Sequence, residues 1–93
     1  MTLKLEKKIM ITGGSGFIGS NLIRYLIKNT NHVLLNYDKL SYSSNNVSLS
    51  EFEGNKKYHF ICGDILNSSL FSEALENFKP NIIMNLAAET HVN

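Results

Sequence analysis

The chain has 93 residues, 43% of them hydrophobic, and carries 9 Lys and Arg against 8 Asp and Glu, a net charge of +1. This length accommodates one domain of ordinary globular composition, and a charge near zero argues against a dedicated nucleic-acid-binding protein, which needs a surplus of Lys and Arg. No apolar run reaches the roughly 18 residues of a membrane span, and the single cysteine, Cys62, offers neither an internal disulfide nor a metal cluster, so we expect a cytoplasmic protein without membrane or metal partners.

The first half of the chain predicts a strand, a helix and a second strand. Residues 8–12 are rich in isoleucine and run directly into glycine, a pattern typical of a short strand buried on both faces. Apolar residues from Phe17 to Asn29 recur at spacings of three and four, which predicts a helix. Residues 32–37 predict a second strand, and the Ser- and Asn-rich residues 41–50 predict a loop that ends in a helical turn near 49–52.

The second half repeats this alternation. Residues 57–62 predict a third strand, in which we expect Cys62 to pack as a small buried hydrophobe. A helix capped by Asn67 or Ser68 is expected to run to about Phe78, and Pro80 stops it. Residues 81–86 predict a fourth strand. This order of elements predicts an α/β fold with a parallel sheet and right-handed crossovers.

A glycine-rich loop joins the first predicted strand to the first helix. Gly14, Gly16 and Gly19 fit the pattern G-x-G-x-x-G, and Gly13, Gly16 and Gly19 fit G-x-x-G-x-x-G equally well. Such a loop lets a pyrophosphate approach the backbone at a helix N-terminus, where free N–H groups favour an anion. The strand-to-helix context favours a dinucleotide site over a turn without a ligand, and the absence of G-K-[ST] excludes a P-loop.

An acidic residue ends the second predicted strand, at the position where dinucleotide-binding folds bind the ribose. Asp38 lies 19 positions after Gly19 and can accept hydrogen bonds from both ribose hydroxyls. A carboxylate there repels a 2′-phosphate, which favours NAD over NADP, although the neighbouring Lys39 could tolerate the extra phosphate. We therefore interpret Asp38 as a cofactor residue rather than an ordinary solvated turn acid.

Two further strand ends face the same predicted crevice. Asp64 and Ile65 follow the third strand and could contact adenine, but Asp64 could equally be a plain acid stabilised by the helix that follows. Leu86, Ala87 and Ala88 follow the fourth strand. Small residues there would let a flat cofactor lie close to the backbone, and simple packing of a strand end explains them equally well.

Four segments together resemble the N-terminal part of the dTDP-glucose 4,6-dehydratases, which belong to the extended short-chain dehydrogenase/reductase superfamily. They are TGGSGFIGS at 12–20, DKLSY at 38–42, GDI at 63–65 and NLAAETHV at 85–92. The glycine loop is common to the superfamily, whereas DKLSY and AAETHV are more specific to nucleotide-sugar dehydratases. The resemblance covers essentially the whole chain and implies a truncated Rossmann-like parallel sheet with strand order 3-2-1-4, flanking helices and NAD as cofactor.

The resemblance also implies a role for each matching residue. The pyrophosphate loop would comprise Gly13, Gly16, Phe17, Ile18 and Gly19, the ribose stretch Asp38, Lys39, Leu40 and Ser41, the adenine contacts Asp64 and Ile65, and the wall beside the cofactor Leu86, Ala87 and Ala88. Thr90 matches a hydroxyl position near the substrate sugar. The chain departs from the family at Ser44, where glycine is usual, and at Asn93, where aspartate is usual.

The implied reaction oxidises the sugar at C4 with NAD, eliminates water across C5–C6 and returns the hydride to C6. The family performs it with a Tyr-x-x-x-Lys pair and an Asp-Glu pair that lie beyond residue 93, and no tyrosine here is followed four positions later by lysine. We therefore expect the NAD-binding part of an enzyme that converts dTDP-glucose to dTDP-4-keto-6-deoxyglucose, catalytically incomplete by itself and able to bind a nucleotide sugar only when completed.

Two alternatives to this assignment stay open. The chain could be a truncated, non-enzymatic nucleotide-binding remnant, or part of another NAD(P)-dependent nucleotide-sugar enzyme such as an epimerase or a GDP-mannose dehydratase. In either case no helix follows the fourth strand to cover it. We therefore expect an exposed sheet edge that favours self-association.

Overall fold

Four parallel strands form a sheet in the order β3-β2-β1-β4, flanked by two helices. The structure is a computed structural model that describes residues 6–39 and 49–86. In chain order the elements are β1 Lys8–Thr12, α1 Phe17–Asn29, β2 Val33–Asp38, a 3-10 turn Ser50–Phe52, β3 Tyr58–Cys62, α2 Ser68–Phe78 and β4 Ile82–Asn85. The predicted α/β fold and strand order are confirmed, and the predicted strands and helices agree with these bounds to within one residue.

The register of the sheet places the carboxyl ends of all four strands along one edge. Thr12, at the end of β1, pairs with Tyr37 of β2 and with Asn85 of β4. Asp38, the last residue of β2, pairs with Cys62, the last residue of β3. The loops that leave these strands therefore start side by side, at the edge where parallel α/β sheets bind their ligands.

Each face of the sheet buries its own apolar cluster, because successive strand residues point to opposite sides. The α1 side holds the larger one: Ile9, Ile11, Ile23, Leu26, Ile27, Leu34, Leu49, Phe52 and Tyr58. The α2 side holds Met10, Leu35, Tyr37 and Ala74. Residues 9–12 of β1 are all buried, which confirms the predicted two-sided burial of this strand.

A side chain stabilises one end of each helix. Asn67 begins α2, and its side-chain oxygen accepts a hydrogen bond from the amide of Leu70 at 3.1 Å, as the sequence predicts. The ammonium group of Lys57 donates to the carbonyls of Ile27 and Thr30, each at 2.7 Å, at the C-terminal end of α1. Neither described helix is long and apolar enough to cross a membrane.

The prediction that Cys62 is buried is wrong. Tyr58, Phe60 and Cys62 alternate along β3 and share one face of the sheet. The described residues cover Tyr58 but leave Phe60 40% exposed and the Cys62 thiol exposed. β3 pairs only with β2 among the described strands, so its last residue lies at an outer corner of the sheet rather than in the core.

Candidate functional site

The glycine loop turns sharply away from the end of β1. Gly13 has a φ of 76°, in the left-handed region that residues with a Cβ rarely adopt. Its amide donates to the carbonyl of Tyr37 at 3.0 Å, and its own carbonyl accepts from the amide of Gly16 at 3.2 Å. These bonds attach the turn to β2 and place the start of α1 directly above the end of the sheet.

Gly14 and Gly19 lack side chains because the protein itself packs against them. A Cβ on Gly14 would overlap the side-chain amide of Asn36 and lie 2.6 Å from Cδ1 of Ile23. A Cβ on Gly19 would lie 2.5 Å from the carbonyl oxygen of Gly13. These two glycines permit close packing of the loop, α1 and β2, as the third glycine of a dinucleotide fingerprint is expected to do.

Gly16 is different, because none of the described residues requires a glycine there. Its backbone is ordinary, with φ −72° and ψ 176°, and the nearest atom to a Cβ would be the Gly13 carbonyl oxygen at 3.5 Å. Gly16 caps α1 without a side-chain hydrogen bond, and no acid lies in the first turn. Phe17 and Ile18 are each 71% exposed. The first-turn amides lack intrahelical acceptors, and no described side chain lies against Gly16, so this helix start is suited to an anion.

Asp38 lies in contact with this loop. Its Oδ2 accepts a hydrogen bond from the backbone amide of Ser15 at 2.8 Å. Its backbone carbonyl accepts from the amide of Gly63 at 3.1 Å, so Asp38 also holds the loop that follows β3. The structure thus brings together the predicted phosphate loop and the predicted ribose acid. Lys39, beside it, is exposed, and its carbonyl lies 3.8 Å from the Cys62 sulfur.

Asn36 supports the loop from below, and sequence reasoning did not single it out. It is fully buried in β2, and its Nδ2 donates to Oγ of Ser15 at 3.2 Å and to the hydroxyl of Tyr58 at 3.1 Å. The available signal was an asparagine inside a strand predicted to be buried, where unpaired polar side chains are rare.

The Tyr58 hydroxyl, which Asn36 contacts, has a raised pKa. Burial is the largest cause of the increase; the Asn36 hydrogen bond lowers this pKa, and the carboxylates of Asp38 and Glu53 raise it further.

Asp64 forms the turn that leads into α2. Its Oδ1 accepts from the amide of Leu66 at 2.9 Å, and its carbonyl accepts from the amide of Asn67 at 2.9 Å. Asp64 therefore stabilises the turn at the start of α2, which is one of the two roles that the sequence allowed. Ile65 is half-buried and packs against the apolar cluster on the α2 side. Their predicted contacts with adenine stay predictions.

Leu86 lies beside the start of the glycine loop. Its amide donates to the carbonyl of Thr12 at 2.8 Å, and its side chain packs against the apolar cluster on the α1 side. The remaining predicted site residues lie outside the described residues: Leu40, Ser41, Ala87, Ala88 and Thr90. Within residues 6–39 and 49–86, no three His, Cys, Asp or Glu side chains come close enough to hold a metal ion.

Known proteins resemble this chain in both sequence and structure. Residues 10–93 match the family model for GDP-mannose 4,6 dehydratase. The chain is 45% identical over 86 residues to the dTDP-glucose 4,6-dehydratase of Salmonella typhimurium, an alignment that covers 92% of this chain and 24% of that protein.

Several solved structures share its fold. One is dTDP-glucose 4,6-dehydratase from Bacillus anthracis in complex with NAD, with a TM-score of 0.82, 33% identity and coverage of 89% of this chain and 27% of that one. Another is the UDP-Glc/GlcNAc 4-epimerase from Campylobacter jejuni, with a TM-score of 0.78, 29% identity and coverage of 92% and 26%.

The chain spans about a quarter of the length of these relatives. The residues matched by the family model, 10–93, include the last three residues of β1, the glycine loop, the acid that ends β2 and the other three strands of the described sheet. The expected resemblance to nucleotide-sugar dehydratases is confirmed, and the chain belongs to the GDP-mannose 4,6 dehydratase family.

Proposed function

We propose that this chain is the N-terminal NAD-binding portion of a nucleotide-sugar dehydratase that, when complete, acts on dTDP-glucose. The observation that carries the proposal is the 2.8 Å hydrogen bond from the Ser15 amide to Oδ2 of Asp38. It joins a loop with room for phosphate to a carboxylate that can bind a ribose. A site with both features on adjoining strand ends is suited to a dinucleotide.

The open space at Gly16 is assigned to the pyrophosphate. A phosphate oxygen there would accept hydrogen bonds from the amides of Phe17 and Ile18 and would lie at the positive end of the α1 dipole. Asp38 would accept hydrogen bonds from the adenosine ribose and repel a 2′-phosphate, which favours NAD over NADP. The NAD complex of the Bacillus anthracis dehydratase supports this assignment.

The other predicted residues complete the proposed site. Leu40 and Ser41 would extend the ribose contacts, Asp64 and Ile65 would meet the adenine, and Leu86, Ala87 and Ala88 would form the wall beside the cofactor, with Thr90 near the substrate sugar. When bound, NAD supplies a hydride acceptor. The chain's own residues bind and orient it, and we assign no proton-transfer step to them, because the chain contains no Tyr-x-x-x-Lys pair.

The curated relatives favour dTDP-glucose as the substrate of the complete enzyme. Eight dehydratases that are named for this sugar match the chain at 40–46% identity. We place the protein in the cytoplasm, where nucleotide sugars and NAD are both expected, and we expect the exposed residues of β4 to favour self-association when nothing covers them.

A second candidate is a nucleotide-sugar epimerase or GDP-mannose dehydratase, favoured by the likeness to the Campylobacter jejuni epimerase and by the family model. Strong preference for NADP would support the GDP-mannose enzyme over our proposal. A non-enzymatic remnant would have an intact mass near 10.5 kDa in its source cells. A mass several times larger would identify the chain as the cofactor-binding end of a complete enzyme.

Calorimetric titration with NAD and NADP tests the cofactor assignment. The wild-type chain should bind NAD more tightly than NADP, and Asp38→Ala should weaken NAD binding by about tenfold, the equivalent of one lost charge-assisted hydrogen bond. Glu76→Ala, which removes an exposed carboxylate from α2, is the matched control and should change neither affinity. If a folded Asp38→Ala variant bound NAD as tightly as wild type, Asp38 would not be part of the cofactor site.

A further inference from the structure

Asn36 is buried at a position where a polar side chain does not improve the core. Its side chain is 0% exposed, and Oδ1 has no hydrogen-bond partner among the described residues. A buried polar atom without a partner is unfavourable by roughly 1–3 kcal/mol. An apolar side chain of similar volume would avoid this penalty and still fill the space beneath Gly14. Packing alone therefore does not account for asparagine here.

The side-chain amide of Asn36 donates hydrogen bonds to two neighbouring parts of the structure. Its Nδ2 donates to Oγ of Ser15 at 3.2 Å and to the hydroxyl of Tyr58 at 3.1 Å. Asn36 thereby connects β2, β3 and the glycine loop inside the protein. Because Ser15 is itself 4% exposed, this bond is protected from water and holds the residue in one orientation.

Ser15 connects Asn36 to Asp38, the acid proposed to bind the ribose. Its side chain is held by Asn36, and its backbone amide donates to Oδ2 of Asp38 at 2.8 Å. A shift of Ser15 would therefore move the donor that orients the carboxylate. Gly14, the residue before Ser15, packs directly over the Asn36 side chain, so the loop cannot settle closer to β2 if the asparagine stays in place.

We propose that Asn36 is a positioning residue: through Ser15 it sets the orientation in which Asp38 reads the 2′-hydroxyl of the adenosine ribose. This inference rests on the proposed function of the site. It assigns Asn36 and Ser15 to selectivity for the ribose hydroxyl rather than to overall affinity, because neither side chain needs to touch the cofactor. Residues that hold a binding group in its productive geometry commonly decide how well that group performs.

The test compares NAD with NAD that lacks the adenosine 2′-hydroxyl, each titrated calorimetrically into the 93-residue chain. Wild type should prefer NAD. Ser15→Ala and Asn36→Leu should each lower the affinity for NAD about fivefold, an effect within the range of one hydrogen bond, and leave the affinity for the deoxy analogue unchanged. Ser15→Ala keeps the backbone amide and is the decisive variant if Asn36→Leu does not fold.

Thr30→Val is the matched control for lost stability. Thr30 makes side-chain hydrogen bonds at the other end of α1, to the carbonyl of Leu26 and from the amide of His32, so its loss should leave the preference for NAD intact. Retained preference in Ser15→Ala would overturn the inference while the proposed function stands. The inference would also be overturned if Thr30→Val lost as much of the preference for NAD over the deoxy analogue as Ser15→Ala does. Absence of NAD binding by wild type would overturn the proposed function itself.

Discussion

The hydroxyl of Tyr37 donates a hydrogen bond to the backbone carbonyl of Asp64 across 3.1 Å, so the end of β2 supports the loop that follows β3. The Tyr37 ring is fully buried and meets Phe71 edge-on, with ring centroids 5.2 Å apart. A Cβ on Gly63 would lie 2.6 Å from the same hydroxyl. Adjacent β2 residues thus serve both loops of the site, with Asn36 beneath the glycine loop and Tyr37 beneath Asp64.

Tyr37→Phe should lower the free energy of unfolding by about 1 kcal/mol, because it deletes one hydrogen bond and keeps the aromatic contact with Phe71. Urea denaturation monitored by circular dichroism measures the change. Tyr25→Phe is the matched control, since Tyr25 is 61% exposed on α1 and its hydroxyl should contribute little. Equal effects of the two substitutions would show that the bond to Asp64 does not stabilise the fold.

Stability should fall as the pH rises above about 10, the range in which tyrosine ordinarily ionises. Burial raises the pKa of Tyr37 above 10.0, and the Asp64 carboxylate adds to the shift; burial likewise raises the pKa of Tyr58. The unfolded chain therefore releases these protons at lower pH than the folded chain, so increasing pH favours unfolding. Below that range this contribution is fully retained.

Urea midpoints measured across this pH range test the tyrosine contribution. The double variant Tyr37→Phe/Tyr58→Phe should lose less of its stability between neutral and alkaline pH than wild type does, although it starts from a lower value. A pH dependence identical in the two proteins would mean that the buried tyrosines do not cause the alkaline loss.

The glycines of the loop should separate into two classes. Gly14→Ala should destabilise the fold by about 1–3 kcal/mol, because the added methyl group meets the buried side chains of Asn36 and Ile23. Gly16→Ala should leave stability nearly unchanged, since in the described part of the chain its Cβ has no neighbour closer than 3.5 Å. Thermal unfolding followed by circular dichroism gives both values. Loss of stability in Gly16→Ala as large as in Gly14→Ala would contradict this division.

Lys57→Met should cost about 1.5–3 kcal/mol of stability, the range for hydrogen bonds to charged groups. The Lys57 ammonium donates at 2.7 Å to the carbonyls of Ile27 and Thr30, where α1 ends and its own acceptors lack amide partners. Lys56→Met, at the neighbouring exposed lysine, should change stability by less than about 0.5 kcal/mol. Similar urea midpoints for the two variants would show that Lys57 does not stabilise the end of α1.

Much of the fold follows from patterns local to the sequence. The isoleucine-rich start, the three- and four-residue spacing after Phe17 and the cap at Asn67 each act within a few residues, and the structure agrees with them. The strand order follows because right-handed crossovers leave few arrangements of a parallel sheet. The glycine loop and Asp38 were predictable as a pair because parallel strands end along one edge, and the Ser15–Asp38 bond joins them.

The features that sequence reasoning missed depend on distant neighbours. Cys62 is exposed because β3 is an outer strand of the described sheet and its last residue is uncovered, which its apolar surroundings in sequence do not reveal. The role of Asn36 depends on Gly14, Ser15 and Tyr58, which are at least 21 residues away in the chain. A single polar residue in an apolar strand shows that a partner is needed, but not which residue provides it.

Calorimetric titration of NAD into wild type and into Gly16→Val tests most directly whether the glycine loop binds the cofactor. The branched side chain would occupy the space assigned to the pyrophosphate, whereas its Cβ would meet only the Gly13 carbonyl oxygen, at 3.5 Å, among the described residues. We predict that wild type binds NAD, that the variant keeps its far-UV circular dichroism, and that its NAD affinity falls at least about tenfold. Equal NAD affinity in the two proteins, or no binding by wild type, would contradict the assignment of this loop to the cofactor.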